Sequence, residues 1–209
     1  LTTGPLGKKI FRFSIPLIFS NLLQVLFNMA DVAVVGRFAG SAALGAVGST
    51  TIFVSLFTGF LIGLSGGVNV LVAHHFGADD QKNLSDTVHS AALTCAAAGR
   101  GRLAIGCGFA GGILRALNTK PELMDGAVLY LRIYCLGMPA LAVYNFGNAV
   151  FSAVGDTRRP LYYLSIAGVI NVVLNLFFVI VCNMDVAGVA VASIISQYFS
   201  AILVTAALL

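Results

Sequence analysis

The stretch that decides the fold is residues 13–36, FSIPLIFSNLLQVLFNMADVAVVG, in which Asp31 is the only charged residue. The stretch exceeds the roughly 20 residues that a helix needs to cross a bilayer. A carboxylate near the bilayer centre costs roughly 2.5–3.5 kcal/mol, so it is seldom there without a use. The usual uses are binding a cation, relaying a proton or pairing with a charged ligand.

The composition places the rest of the chain in lipid as well. Hydrophobic residues make up 58% of the sequence and charged residues only 10%, whereas soluble domains carry about 25% charged residues. Charge-free stretches predict an all-α membrane protein with six transmembrane helices. The predicted spans are residues 10–36, 44–72, 87–114, 126–154, 161–182 and 186–209.

The third span is the weakest, because Gly99-Arg100-Gly101-Arg102 lies near its middle. Residues two apart lie on nearly opposite helix faces, so one pocket cannot easily hold both arginines. One interpretation is a contact with an anion or a lipid headgroup. The favoured interpretation is either a local sequence irregularity or a broken, poorly inserted helix.

Basic residues predict the orientation of the chain. With a cytoplasmic N-terminus, six of them fall inside and four outside, in agreement with the positive-inside rule. The inside set is Lys8, Lys9, Arg12, Lys82, Arg158 and Arg159. We therefore expect a multi-pass protein of the plasma (inner) membrane. Because the sequence starts at Leu1 and stops within an apolar run at Leu209, we also expect a fragment of a longer protein.

Polar side chains recur at helical spacing within the apolar spans. Gln24, Asn28 and Asp31 share a face of the first span. The pairs Tyr144 and Asn148, Asn171 and Asn175, and Ser193 and Gln197 are each four residues apart. Buried amides in lipid need partners, and hydrogen bonds between helices would supply them. Together with Asp31, they also offer oxygen ligands for Na⁺ or a shielded place for a proton.

These motifs resemble those of the multidrug and toxic compound extrusion (MATE) transporters. The matching stretches are Pro16-Leu17-Ile18-Phe19, residues 24–31, residues 66–73, Phe76-Gly77-Ala78-Asp79, Gly155-Asp156-Thr157-Arg158-Arg159-Pro160, residues 171–175 and Ala192-Ser193. The resemblance covers nearly the whole chain. It implies the N-terminal, six-helix lobe of a twelve-helix transporter, with residues 1–209 forming that lobe and the C-terminal lobe absent from this chain.

The resemblance also implies residue roles. Asp31 matches the family's essential acid, Asn171 an amide and Ser193 a hydroxyl of a cation-coupling site. Asn175 stands where some relatives carry a second acid, a departure that weakens a Na⁺ site and leaves a proton site possible. Gln24, Asn28, Tyr144 and Asn148 are assigned to the substrate cavity, Gln24 and Asn148 because they match cavity positions in relatives.

The implied function is export of cationic amphiphilic drugs by H⁺- or Na⁺-coupled antiport, with alternating access between two lobes. The expected partners are a drug-like substrate, the bilayer and the second lobe, with no nucleic acid, no cofactor, and no metal beyond Na⁺ at the coupling site. We expect no enzymatic activity.

Two alternatives stay open. One is a lipid-linked oligosaccharide flippase of the same superfamily, with Arg100 and Arg102 as its only cavity cations. The other is an intramembrane serine protease, since Gly63-Leu64-Ser65-Gly66 has the G-x-S-G form of rhomboid proteases. A serine nucleophile needs a base, and the three histidines, His74, His75 and His89, all lie at or near the loop after the second span, none of them in a later span facing Ser65.

Overall fold

The computed structural model describes residues 6–208, without the side chains of Leu6, Lys8, Lys9, Ile10, Arg12 and Asn21. The basic N-terminal side chains that entered the orientation prediction therefore lie outside the described ones. Seven α-helices and two short π-helical segments make up the described chain: α1 Leu6–Val34, π-helix Val35–Ala39, α2 Gly40–Gly77, α3 Gln81–Ala116, α4 Pro121–Leu136, α5 Met138–Ala153, α6 Arg158–Leu176, π-helix Phe177–Val181 and α7 Asp185–Leu208. Residues 6–208 contain no strand. The predicted all-α fold is confirmed.

The first two predicted spans form one long helical run. Phe13–Gly77 is 65 residues long, or about 98 Å if straight, which is about three times the hydrocarbon thickness of a bilayer. The backbone leaves helical geometry at Gly40, whose φ of 86° suits a residue without a Cβ. This length, and the break at the π-helical segment and Gly40, agree with the two spans predicted for this run.

The fourth predicted span is divided into two helices. Pro121 begins α4, as its fixed φ and missing N–H favour. The axes of α4 and α5 differ by 46° at Gly137, the single residue between them. Pro139 has no N–H to donate to the carbonyl four residues earlier, and its ring crowds that turn. The bend follows from these two residues.

The expectation of a broken third helix is wrong, because α3 runs unbroken from Gln81 to Ala116. Gly99 and Gly106 are positions of close contact. A Cβ at Gly99 would lie 2.9 Å from Pro139 Cα, and one at Gly106 would lie 2.0 Å from Cys135 Sγ. Small residues let helix backbones approach closely in lipid, so the glycines seat α3 against the bent pair α4–α5.

Arg102 lies inside this packing and Arg100 outside it. The Arg102 side chain is 5% exposed, whereas Arg100 is exposed. The Arg102 guanidinium carbon lies 4.9 Å from the ring centre of Phe60 and 5.5 Å from that of Phe57, both on α2. Neither terminal nitrogen has a hydrogen-bond partner among the described residues. Cation–π attraction is thus the interaction that the described residues give this charge.

Within residues 6–208, three helical stretches are long and apolar enough to cross a membrane: Phe13–Gly77, Arg158–Val181 and Asp185–Leu208. The bent pair Pro121–Leu136 and Met138–Ala153 gives a fourth if it counts as one span. The division into six spans stays a prediction.

The packing of α1 on α6 positions the site. Phe27 of α1 fits a notch at Gly168 of α6, where an added Cβ would lie 1.9 Å from the ring. Helix α7 packs against α4, α5 and α6. Residues on α1, α6 and α7 therefore meet next to α4.

Candidate functional site

A chain of hydrogen bonds joins α1, α6 and α7. The Asn175 amide donates to the Asp31 carboxylate and also to Asn171 Oδ1, at 3.2 Å. The Asn171 amide donates to Ser193 Oγ at 3.4 Å, and the Ser193 hydroxyl lies near the Asp31 carboxylate. The structure thus brings together all four residues assigned to the coupling site. We call Asp31, Asn171, Asn175 and Ser193 the Asp31 cluster.

The local sequence explains this arrangement. Asn171 and Asn175 are one turn apart on α6, so both amides point to the same side of that helix. Asp31 lies in the last turn of α1, just before the π-helical segment. Ser193 lies two turns into α7. The Ser193 hydroxyl, the Asp31 carboxylate and the two asparagine amides therefore come from three helices that pack side by side.

Burial makes the cluster a protected oxygen-rich site. Asn175 is 0% exposed, Ser193 4% and Asn171 6%, while Asp31 is half-buried. Asn175 Oδ1 is buried and has no hydrogen-bond partner among the described residues. A buried polar atom without a partner costs free energy. A cation beside Asp31, or a proton donor there, would give Asn175 Oδ1 a partner. The oxygen atoms of the cluster therefore suit Na⁺ or H⁺.

Comparison with known proteins gives the family. The MatE family model matches residues 16–177. The chain belongs to the MATE family. It is 32% identical over 201 residues to the "Probable multidrug resistance protein YpnP" of Bacillus subtilis (strain 168), an alignment that covers 94% of the chain and 44% of that protein.

Two further comparisons agree. The chain is 30% identical over 162 residues to the "Probable multidrug resistance protein YoeA" of the same organism, covering 78% of the chain and 35% of that protein. A solved outward-facing structure of a multidrug resistance MATE family transporter of the MOP superfamily superposes with a TM-score of 0.89 at 25% identity, over 98% of this chain and 45% of that one. The MATE chain thus spans less than half the length of each of these three relatives.

The four residues assigned to the substrate cavity lie in different surroundings. Gln24 is half-buried, and Asn28 is exposed in an open recess with Val25, Met29 and Val32. Asn148 is half-buried on α5. Tyr144 is 3% exposed, and its hydroxyl donates to the Pro160 carbonyl at 3.3 Å. The structure therefore places Tyr144 inside the packing of α5 against α6 and Asn28 on an open face of α1.

Sequence reasoning missed two tyrosines beside the cluster. Tyr130 and Tyr134 of α4 are stacked, with ring centres 5.7 Å apart, and both lie within electrostatic reach of Asp31. Gln197 of α7 lies near the Tyr134 hydroxyl. The four-residue spacing of the tyrosines placed them on one face of α4. Only the packing of α4 beside α7 shows that this face meets the cluster.

Other candidate sites receive no support from the described side chains. Residues 6–208 contain no group of three or more His, Cys, Asp or Glu side chains placed to hold a metal. Ser65 Oγ is buried and, in the part of the chain that the structure describes, has no hydrogen-bond partner. The G-x-S-G stretch thus has no described base at its serine.

Proposed function

We propose that this chain is one lobe of a cation-coupled MATE antiporter that exports cationic amphiphilic compounds. The observation that carries the proposal is the buried contact of Asn175 with Asp31, in which Asn175 Oδ1 has no partner among the described residues. The N-terminus would be cytoplasmic, the membrane the plasma (inner) membrane, and the complete transporter would pair this lobe with a second one.

Helix packing indicates how an ion would act. Asp31 belongs to α1, while its partners belong to α6 and α7, so the cluster joins one helix to two others. H⁺ or Na⁺ at Asp31 cancels the carboxylate charge and so changes the hydrogen bond between the Asn175 amide and Asp31. A ligand shifts a conformational equilibrium only by its differential affinity for the two states. In this proposal, the two states differ in how α1 is arranged against α6 and α7.

Helix α1 can respond because it contains Pro16. A proline inside a helix removes one backbone hydrogen bond and lets the helix bend. Bending of α1 near Pro16 would change the face that bears Gln24 and Asn28. Cationic substrate would be released when the ion enters, because the ion neutralises the negative charge of Asp31 that attracts the substrate.

Asp31→Asn is the decisive test. We expect it to abolish efflux of a fluorescent cationic dye driven by an imposed pH or Na⁺ gradient, because the amide neither takes up a proton nor supplies a charged ligand. The measurement uses a drug-sensitive bacterium expressing the chain joined to the C-terminal lobe of a full-length relative. The gradient that drives efflux identifies the ion.

Asn148→Ala is the matched control, since it removes an amide on α5 that lies outside the Asp31 cluster. We expect this variant to keep its gradient coupling even where its dye preference changes. Full efflux in a well-inserted Asp31→Asn protein would contradict the proposal. An absence of dye efflux from a well-inserted unmodified protein would favour the flippase alternative.

A further inference from the structure

Arg102 of α3 is a buried cation whose opposite charge does not come from the acidic side chains of this chain. The chain has eight acidic residues, all within residues 6–208, and the one salt bridge formed in that range joins Asp156 to Arg159. A buried charge without an opposite charge beside it is strongly unfavourable. We therefore expect the compensating negative charge to be supplied by a ligand.

The Arg102 guanidinium also has hydrogen bonds left to donate. Both of its terminal nitrogens are buried without an acceptor in the part of the chain that the structure describes. The rings of Phe57 and Phe60 attract the charge but offer no acceptor oxygen. A guanidinium presents its N–H groups as a planar fork that matches the two oxygens of a carboxylate or a phosphodiester. The free N–H groups therefore suit an oxyanion.

Phe60 separates the guanidinium from the outer surface of α2. Its ring centre lies 4.9 Å from the guanidinium carbon, yet its side chain is 63% exposed, so Arg102 lies one side chain below that surface. Gly59 and Gly63 flank Phe60 along the helix, and a Cβ added at either would meet nothing within 4 Å. The glycines leave open space on this part of α2, into which the Phe60 ring can turn.

The surroundings of Arg102 favour an anion that carries an apolar tail. Arg102 lies about 31 Å along the axis from the start of α3 and about 21 Å from its end, a depth within the hydrocarbon of a bilayer about 30 Å thick. Ile52 and Leu56, which precede Phe60 on α2, are exposed and apolar. An inorganic anion would have to shed its hydration shell to reach this depth, whereas an amphiphile has a tail that hydrocarbon accepts.

We propose that Arg102, beneath Phe60, binds the head group of an acidic amphiphile. The ligand is a singly charged oxyanion on an apolar tail, supplied either as the carboxylate of a free fatty acid or as the phosphodiester of an anionic lipid. One negative charge matches the one positive charge of the site. When Phe60 turns aside, the oxyanion accepts hydrogen bonds from the terminal nitrogens of Arg102. The site lies on α2 and α3, whereas the Asp31 cluster lies on α1, α6 and α7.

A fluorescent reporter can detect the ligand at this site. The chain contains no tryptophan, so Phe60→Trp gives a single indole and keeps an aromatic ring over the guanidinium. In nanodiscs of zwitterionic lipid, we expect oleate to change the emission saturably and methyl oleate, which lacks the charge, to leave it unchanged. The same change in nanodiscs containing phosphatidylglycerol, without oleate, would identify a membrane lipid as the source of the oxyanion. Phe177→Trp, at an exposed position on another segment, reports the effect of oleate on the bilayer alone.

Two matched substitutions separate this site from a general attraction between positive charge and fatty acid. In the Phe60→Trp background, Arg102→Met removes the charge and keeps most of the side chain's length. We expect it to raise the half-saturating oleate concentration at least about tenfold, equivalent to about 1.4 kcal/mol. Arg100 is exposed on nearly the opposite face of α3, so Arg100→Met should leave that concentration unchanged. Acetate, a carboxylate without a tail, should not compete with oleate at equal concentration.

Unchanged oleate affinity in well-inserted Arg102→Met protein would overturn the inference, and so would equal weakening by the two arginine substitutions. If Arg102→Met fails to insert, the comparison of oleate with methyl oleate still decides, because Phe60→Trp keeps Arg102. An equal response to both compounds, or no saturable response to oleate or phosphatidylglycerol, would reject the site. None of these measurements involves an ion gradient or efflux, so the proposed function stands or falls separately.

Discussion

Asn175 is the residue on which the candidate site depends. Its amide group donates to Asp31 and to Asn171, while its oxygen is buried without a described partner. An acid at this position would place two carboxylates side by side, and such a pair either shares a proton or holds a cation. The amide leaves Asp31 as the only charge of the cluster.

We expect Asn175→Asp to strengthen Na⁺ binding, because a second carboxylate adds a charged ligand beside Asp31. The half-saturating Na⁺ concentration for thermal stabilisation in nanodiscs should fall at least about tenfold, equivalent to about 1.4 kcal/mol of binding free energy. Asn148→Asp adds an acid to α5 outside the cluster and serves as the control. Equal changes in the two variants would show that added charge alone is responsible.

The notch at Gly168 gives a prediction about stability. Gly168→Ala places a methyl group where the Phe27 ring lies, 1.9 Å from the nearest ring carbons. Overpacking of this kind costs about 1–3 kcal/mol, so the thermal unfolding midpoint in detergent should fall by several degrees. Gly101→Ala, which meets nothing within 4 Å, should melt at or slightly above the parent temperature. Equal midpoints for the two variants would refute the close fit of α1 on α6.

At the residue scale, the sequence predicted which side chains would meet when they share a helix face. Asn171 with Asn175 needed only the helical period. The contact of Asn175 with Asp31 spans 144 positions, so its prediction depended on the family resemblance. Tyr134 escaped prediction because a tyrosine pair on an apolar helix is usually a packing pair, whereas Gln197 was noted only as a polar residue four positions after Ser193. Their proximity to Gly137 depends on how α4 bends.

Among the elements, α3 and the bent pair α4–α5 show the limits of reading composition alone. Glycine lowers helix propensity by about 1 kcal/mol relative to alanine, which favoured a broken α3. In the fold, the same glycines allow close packing on Pro139 and Cys135, and this packing outweighs the propensity. Pro139 lies within the predicted fourth span, but the 46° bend results from its combination with Gly137.

The start of α3 carries a pH-dependent cap. The Asn83 side chain and backbone N–H both donate to the Asp80 carboxylate, at 2.6 and 3.1 Å, and these bonds lower the pKa of Asp80. Since the folded state holds the ionised form, the cap contributes stability above the ordinary aspartate pKa. That contribution is lost as the pH falls through the lower, folded pKa.

We therefore expect the amides of the first turn of α3 to lose protection from hydrogen exchange as the pH falls below about 4. The measurement is exchange by mass spectrometry, corrected for the intrinsic pH dependence of the amide rate. Asp80→Asn keeps an N-cap oxygen but cannot titrate, so its protection should not change over the same range. The same acid loss in Asp80→Asn would assign the effect to another group.

For the whole molecule, the distribution of exposed apolar side chains suggests how this lobe is used. The α1 face contains Val25 and Met29, 55% and 63% exposed, around the exposed amide of Asn28. The α6 face contains Val169 and Val173, 62% and 59% exposed. The purely apolar α6 face can lie against lipid, whereas the Asn28 amide on the α1 face would need a hydrogen-bond partner in hydrocarbon. We infer that the Asn28 face borders a cavity shared with a second lobe, and that the Val169 face meets lipid.

Thiol labelling can separate these two faces. In a cysteine-free background, joined to the C-terminal lobe of a full-length relative, Asn28→Cys should react with a water-soluble maleimide, and a cationic amphiphile in excess should slow that reaction. Val169→Cys should stay unreactive, because maleimides add to the thiolate and a thiol in hydrocarbon remains protonated. Both side chains are exposed in this lobe, which makes them a matched pair. Equal labelling at both positions would mean that α1 faces lipid like α6, and the shared cavity would have to be sought on another helix.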